Sequence, residues 1–455
     1  MWLVQPEQLL FLYVIGLVSG LSPAASPFLQ APFRAVWNAP TANCLSLYSI
    51  NLDTETLGMV YNKNQELMGG NITLFYSGEL GLYPSYSSQW VAVNGGVPQN
   101  ASLDTHLKVA SENIQASIPD EDFSGLAVID WESWRPIWER NWGSKQVYKE
   151  GSEALVRAKH RDWSPAQIQA VARTEFEEAA KKFMEQTVRL GQKERANGLW
   201  GYYGFPECYN YYDDKKTGYT GQCPAVEMKR NNELFWLWNT SSALYPDIYL
   251  SLNLRGLSKE VLMFVQHRIL EAMRVSAQVT PVEPPVFPYA RIVYTYTLDF
   301  LSQEHLIYTI GESAALGSAG IVLWGDLSFS KTKATCETVK SYIDETLGPY
   351  VANVTSAAML CSQALCSSNG RCQRRNLNSK AYLHLNPAVW KVTREKKPDG
   401  GRNYRVVGQM KIRDIMFMNS QFQCKCYPGW SGKNCSKVQK KSKKKPQRAK
   451  IPLAV

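Results

Sequence analysis

One stretch of the chain groups residues that could do chemistry together: Gly125-Leu-Ala-Val-Ile-Asp130-Trp131-Glu132-Ser-Trp134-Arg135-Pro136. Its apolar run reads as a buried strand, yet it ends on two acids and two tryptophans. Burying an unpaired carboxylate is costly, so buried strands do not normally finish this way. Side chains alternate along a strand, which puts Asp130 and Glu132 on the same side. Their Cα atoms would stand roughly 6–7 Å apart at about 3.3 Å per residue. Two same-side carboxyls beside aromatic rings are the parts that cleave a glycosidic bond. Crowding by a like charge lets one acid keep its proton near working pH. No second acid is as plainly placed to act as nucleophile. The pattern therefore favours a substrate-assisted route, in which the sugar's own N-acetyl oxygen attacks the anomeric carbon. Other chemistries lack their residues. There is no Gly-x-Ser-x-Gly elbow, P-loop or Gly-x-Gly-x-x-Gly turn, and the five histidines form no metal-ligand spacing. The expectation is an enzyme without metal or cofactor.

Strand candidates that could position these groups are Phe33–Trp37, Ile72–Tyr76, Leu126–Trp131, Gly198–Tyr203, Asp247–Leu252, Val286–Tyr294 and Gly320–Trp324. Helical patterns lie between them. The clearest opens at Ser164-Pro165, an N-cap residue and a first-turn proline. Ile168, Ala172, Phe176, Ala179, Phe183, Thr187 and Leu190 then recur at helical spacing. Ser258 opens another helix, carrying Val261, Phe264, Val265 and Ile269. Repeated βα units with about seven strands predict a parallel barrel of the TIM type or a close variant, with an open doubly wound sheet as the alternative. Barrel active sites lie at the C-terminal strand ends. The proposed strands end near Tyr76, Asp130/Glu132, Tyr203, Tyr249, Tyr289 and Trp324, each an acid or an aromatic ring. Six such ends on one face suggest a groove for a carbohydrate chain.

The 455 residues are 45% apolar, enough for one large domain and a smaller one. Residues 1–26 read as a secretory signal, with Leu9–Val18 as its apolar core and small residues after it. That run is shorter than the ~20 residues needed to span a bilayer, and no second one follows. Ten cysteines and the sequons at Asn71, Asn100, Asn239, Asn353 and Asn434 fit export to an oxidising compartment. Secretion is expected, with the lysosome as the other destination. A barrel is expected over 27–355 and a cysteine-rich module over 356–436. That module opens with Cys361-x4-Cys366-x5-Cys372. The later spacing Cys424-x-Cys426-x8-Cys435, with Gly429-Trp430 inside it, is that of an EGF-like module. Its expected pairing is Cys361–Cys372, Cys366–Cys424 and Cys426–Cys435. A long insert, 373–423, divides that module. The net charge of +10 is mostly a tail effect, since eight basic residues and no acid lie between Lys437 and Lys450. The tail, 437–455, reads as disordered and suited to polyanions, or as a merely solvated end. Nucleic acid is not among the expected partners, and a monomer is expected.

The segment Phe123-Ser-Gly-Leu-Ala-Val-Ile-Asp-Trp-Glu132, with Trp134-Arg135-Pro136, resembles the catalytic segment of the hyaluronidases. The resemblance extends through Trp37-Asn-Ala-Pro40, Gly201-Tyr-Tyr-Gly-Phe-Pro206, Trp236-Leu-Trp238, Ala243-Leu-Tyr-Pro246 and Gly311-Glu-Ser-Ala314, and covers nearly all of residues 30–436. It implies a distorted (β/α) barrel that hydrolyses hyaluronan, and chondroitin more slowly. It makes Glu132 the proton donor, with Asp130 sharing its proton and positioning the acetamido group. Tyr203 and Tyr249 would orient that group, and Trp324 would wall its pocket. Tyr76, Trp131, Tyr289 and Arg268 would bind substrate, Arg268 by pairing with a glucuronate. The resemblance also implies the disulfides Cys44–Cys336 and Cys208–Cys223. Asp247 departs from the family pattern, where serine is frequent, and adds an acid near a polyanion. A chondroitin hydrolase and a hyaluronan-binding adhesion protein remain as alternatives.

Overall fold

Alternation along the strands decides which side chains face the barrel axis and which face the helices around it. The computed structural model describes residues 26–54, 58–213, 215, 217–396 and 402–439. The proposed leader and most of the basic tail lie outside them. Ser26, assigned to the leader, is buried, and its hydroxyl donates to Ser124 O, so the folded domain includes it.

The parallel strands are β1 (Arg34–Asn38), β2 (Val60–Tyr61), β3 (Ile72–Tyr76), β4 (Leu126–Asp130), β5 (Leu199–Tyr202), β6 (Tyr289–Ala290) and β7 (Gly320–Trp324). One sheet runs β2-β1-β7-β6 and the other β3-β4-β5. They form a distorted (β/α) barrel whose strand ladder is not continuous, with two seams between the sheets. On one side, single parallel bridges (Tyr203 to Tyr245, Leu244 to Val286, Asp247 to Tyr289) carry residues 244–247 between β5 and β6. On the other, the buried Asn62 side chain stands in for a strand. Its Nδ2 donates to Ile72 O at 2.7 Å, and its Oδ1 accepts from Ile72 N at 3.1 Å.

Two of the expected strands shrink. Asp247–Leu252 contributes one bridge, and Val286–Tyr294 only Tyr289–Ala290 and bridges at Val286 and Val293. Pro246, Pro284, Pro285 and Pro288 have no N–H to give a ladder, which explains the loss.

Inside the barrel sit Val36, Ile72, Leu74, Leu126, Val128, Leu199, Tyr245, Phe287 and Val322. Ala127, Ile129, Trp200, Tyr202, Ile321 and Leu323 face outward, into the larger core shared with the helices. Helix α1 (Leu103–Ser117) is followed by α2 (Gln146–Lys159) and the long α3 (Pro165–Glu194). A capping box between Ser164 and Gln167 opens α3. Its buried stripe is Ile168, Ala172, Phe176, Ala180, Phe183 and Thr187, with Ala180 in the place expected for Ala179. Helix α4 (Ser258–Ser276) buries Val261, Phe264, Val265 and Ile269 as its pattern predicts.

Helix α5 (Gly348–Cys366) runs straight through the boundary drawn at residue 355. The cysteine-rich end therefore grows out of a barrel helix. Strands β8 (Gly370–Arg374) and β9 (Phe422–Cys426) pair antiparallel, and the insert between them forms a hairpin (Trp390–Lys396 with Arg402–Gly408) and a helix (Ile412–Gln421). All five expected disulfides are present. Cys44–Cys336 and Cys208–Cys223 lie in the barrel. Cys361–Cys372 ties α5 to β8, Cys366–Cys424 ties α5 to β9, and Cys426–Cys435 closes the last loop. Cys361 and Cys366 stand near the end of one helix, and Cys372 and Cys424 are paired neighbours in the β8–β9 ladder. Two crosslinks thus hold the β8–β9 ladder to the helix end, and Cys366 Sγ lies only 4.0 Å from Cys372 Sγ without bonding to it.

Candidate active site

The period of two that fills the barrel also delivers the site. Following inward residues up each strand ends on Tyr76 after Leu74, Asp130 after Val128, and Trp324 after Val322. Tyr203 follows Gly201, and Tyr289 follows Phe287. Register aligns the ends, since Tyr76 pairs with Asp130 and Asn38 with Trp324. Gly201 is required where β5 passes residue 243, because a Cβ there would lie 2.2 Å from Ala243 O.

The rings form a continuous wall. Tyr249 stacks on Trp324 at 5.9 Å, Tyr203 lies 6.0 Å from Tyr249, and Tyr289 meets Tyr203 edge-on at 5.1 Å. Trp324 Nε1 donates to Tyr76 Oη at 3.2 Å. Burial pushes Tyr76 up to about 12, and pushes Tyr203, Tyr249 and Tyr289 well above the usual tyrosine range. All four hydroxyls stay protonated at working pH; Tyr76, Tyr203 and Tyr249 are partly exposed and can donate to a substrate, whereas Tyr289, expected to bind substrate, is 1% exposed and backs the wall. Tyr289 Oη is buried with no hydrogen-bond partner among the described residues.

The two acids differ sharply. Glu132 has 56% of its side chain exposed and lies 3.5 Å from the buried Arg135 guanidinium. Asp130 sits deeper, and its Oδ1 is buried and unpartnered among the described residues. Burial raises Asp130 to about 8, Glu132 adds to the rise and Arg135 opposes it. A proton is thus held at the bottom of the site, one step below the exposed acid.

This has a stability consequence. Asp130 binds its proton more tightly folded than unfolded, so its contribution is full below the ordinary carboxylate range and is lost as pH rises through about 8. Between those limits the slope approaches about 1.4 kcal/mol per pH unit. Asp130→Asn should remove it. Melting temperatures at pH 5 and pH 8 should converge in the variant relative to wild type. Equal pH dependence in both proteins would refute the buried proton.

Two expected substrate residues are placed elsewhere. Trp131 points outward because it alternates with Asp130, and it is buried against Tyr83, Tyr202, His106 and Phe183. It shapes the core behind the site and does not line the groove. Arg268 is 2% exposed beneath the tyrosines. Its guanidinium lies 2.8 Å from Glu207 and 3.4 Å from Asp247, donates to Asp247 O, and is closed over by Phe264 and Tyr211. It is committed to protein acids and not presented to a glucuronate. The reason is Asp247 itself, which needs a counter-ion. Burial pushes Asp247 up to about 7 against the pull of Arg268, and its Oδ1 accepts from Tyr249 N at 2.7 Å. The extra acid is neutralised below the ring that it supports.

A model of the family described as hyaluronidase matches residues 23–439. The chain belongs to the hyaluronidase family. Hyaluronidase-1 of Sus scrofa is 46% identical over 426 residues, covering 94% of this chain and 96% of the relative. Hyaluronidase-4 of Homo sapiens is 46% identical over 442 residues, covering 96% of this chain and 91% of the relative. The crystal structure of bee venom hyaluronidase in complex with a hyaluronic acid tetramer superposes with a TM-score of 0.65 and 34% identity, over 70% of this chain and 98% of that one. As a hyaluronidase-family glycoside hydrolase, the protein gathers Asp130, Glu132, Tyr76, Tyr203, Tyr249, Tyr289 and Trp324 at one barrel mouth. Sequence reasoning missed the supports of this hyaluronidase site. Glu207 and Asn210 hold Arg268, and Arg291 lies over Trp324 at 4.8 Å while paired with Asp326 at 2.8 Å. No motif marks them. Arg135, three residues past Glu132 in the motif, could have been found by asking what neutralises that acid.

Proposed function

We propose that this chain is an endo-β-N-acetylhexosaminidase that cuts hyaluronan, and chondroitin more slowly, at β-1,4 bonds between N-acetylhexosamine and glucuronic acid. The family assignment and the bee venom enzyme's complex with a hyaluronic acid tetramer support the substrate. The observation that carries the substrate-assisted route is Asp247. This third acid beside the tyrosines is tied to Tyr249 N–H and Arg268, so it does not offer a nucleophile.

The N-acetyl sugar enters the pocket walled by Trp324. Tyr203 and Tyr249 donate to the acetamido oxygen, and Asp130 holds the acetamido N–H. Glu132 gives its proton to the glycosidic oxygen as the bond to the anomeric carbon breaks, and the acetamido oxygen bonds to that carbon from the other face. A water that gives its proton to Glu132 then opens the cyclic intermediate. Two inversions return the β configuration. Chain length of hyaluronan and chondroitin from about pH 4 to pH 7.5, with the anomer of the first product read by NMR, tests this. A β product is expected. An α product would overturn the route, and binding without shortening would make the chain an adhesion protein.

Secretion, or delivery to a lysosome, fits the ten paired cysteines and the exposed sequon residues Asn71, Asn100, Asn239 and Asn434, whereas Asn353 is half-buried and accepts from Leu385 N. No described helix is long and apolar enough to cross a membrane. Lys437–Val438 pairs with Trp430–Ser431, so a cut after Gln439 spares the fold. Removing the rest of the tail should weaken salt-sensitive adhesion to polyanions and leave hydrolysis at saturating substrate unchanged. Equal loss of both would place the tail in the groove.

A further inference from the structure

One face of the β8–β9 ladder is turned away from α5 and carries two cations. Cys372 and Cys424 reach α5 through their disulfides, so alternation sends Arg371, Gln373 and Lys425 the other way. That way lies the foot of the barrel, at the end opposite the active site. Gln373 Nε2 donates to Leu316 O at 3.1 Å, and Lys425 Nζ lies 2.7 Å from Glu283. Between ladder and barrel foot is a cavity of about 890 Å³, lined by Leu199 and Val286 from the barrel and by Tyr427 and Trp430 from the last loop. Small-ligand sites have this size, about 300–1,000 Å³.

The charges in this cavity do not balance. Its charged lining residues are Glu283, Lys425 and Arg371. Glu283 is taken by Lys425. Arg371 stands directly across the ladder from Lys425, where like charges repel. It is 7% exposed, with its guanidinium over the Tyr427 ring at 5.4 Å. Among the described residues no carboxylate pairs with it, and its Nε and Tyr427 Oη are both buried without a hydrogen-bond partner. Other buried arginines are satisfied. Arg140, Arg268 and Arg374 each meet a carboxylate, and Arg195 donates to two backbone oxygens. Burial pulls the Arg371 guanidinium below the ordinary arginine range, as for a cation without a counter-ion. Leaving such a charge unpaired is costly unless an anion arrives.

We infer that this cavity is a second binding site, remote from the groove, for an acidic saccharide whose sulfate or carboxylate pairs with Arg371. The rest of the wall suits a sugar. Asn197, Ser241 and Gln439 bring amides and a hydroxyl, and Tyr427 and Trp430 bring aromatic rings. Gln439 also ties the cavity to the basic stretch. Its N–H donates to Gly429 O, and Lys440 and Lys441 follow it directly in the chain. A polyanion drawn to those lysines is brought to the cavity's rim. Such a site holds a chain without cutting it.

The test is titration calorimetry on the full chain carrying Glu132→Gln, alone and combined with Arg371→Met. The ligands are a sulfated chondroitin tetrasaccharide, a hyaluronan tetrasaccharide and a neutral N-acetylglucosamine tetramer. Arg371→Met is expected to weaken one binding event at least about tenfold, as for loss of a charge-assisted contact. Weakening for the sulfated chain assigns a sulfate to the site, and weakening for one hyaluronan event assigns a carboxylate. The neutral tetramer should not respond. Ala196→Trp, which fills the cavity from an exposed wall position, should remove the same event with Arg371 in place. With Glu132 intact, both variants should cut hyaluronan as wild type does, which reports a folded barrel. Acidic ligands that bind parent and both variants alike would overturn the proposal. So would an equal loss for the neutral tetramer. Asn239, a sequon residue, also lines the cavity. Binding that appears only after Asn239→Gln would give the cavity to the chain's own glycan and overturn the proposal as well.

Discussion

Glu132→Gln is expected to bind hyaluronan and leave it intact. The amide keeps the shape of the side chain and its place beside Arg135, but it has no proton to transfer. General acid–base catalysis is worth about 10²–10⁴-fold, and here one residue serves both as acid and as base. The loss in kcat should therefore lie at the upper end, about 10³–10⁴-fold, with KM changed by no more than about threefold. Single-turnover assays on size-defined hyaluronan would measure it. Residual turnover within tenfold of wild type would assign the proton donor elsewhere, with Asp130 the first residue to re-examine. The exposure of Glu132 is consistent with the role, because an acid that must reach a bridging oxygen has to stand clear of the wall.

The second large effect is on stability, at the joint between barrel and cysteine-rich end. Glu312, in the short helix Glu312–Ala315, is fully buried. It is met by Arg374 at the end of β8, which is 1% exposed, and by Gln266 Nε2 at 3.0 Å. Arg374 also donates to Ser379 O and lies over the Tyr382 ring at 5.5 Å. Arg374→Ala strands a carboxylate without its counter-charge, which costs about 3–5 kcal/mol. In a chain of this size that lowers Tm by about 3–5 °C. A joint Glu312→Gln, Arg374→Met variant removes both charges and should recover most of the loss. Calorimetry of the three proteins decides the matter. A single variant that melts with wild type would show that the pair contributes nothing net.

What the sequence makes legible follows from short-range rules. A period of two places Asp130 and Glu132 on one side, and the same rule, carried to the other strand ends, assembles Tyr76, Tyr203 and Trp324 beside them. It also forbids Trp131 from the groove, a consequence that a cluster of neighbouring rings conceals. The EGF-like spacing gives Cys361–Cys372 its partner correctly, because that pairing needs only a local loop, but it does not show that Cys361 sits inside a barrel helix. Arg268 escapes such rules because its partners, Glu207 and Asp247, lie 61 and 21 residues away in the chain, and no local pattern announces a buried counter-ion. Around 247–252 and 286–294, aromatic and β-branched residues suggest ladders that the intervening prolines cannot sustain. The domain boundary misleads for another reason, since composition changes at residue 355 while α5 continues to Cys366.

Cys44 follows the first barrel strand and Cys336 the last, 292 residues apart in sequence. In the chain-entropy picture, tying so long a loop is worth about 5 kcal/mol. It also makes the barrel a covalent ring. One protease cut anywhere between those cysteines, for example at the exposed tip near Trp90, opens the ring without releasing a fragment. The nicked enzyme would migrate as one species until its disulfides are reduced, and then as two. A catalytic domain that meets proteases would then survive its first injury in one piece.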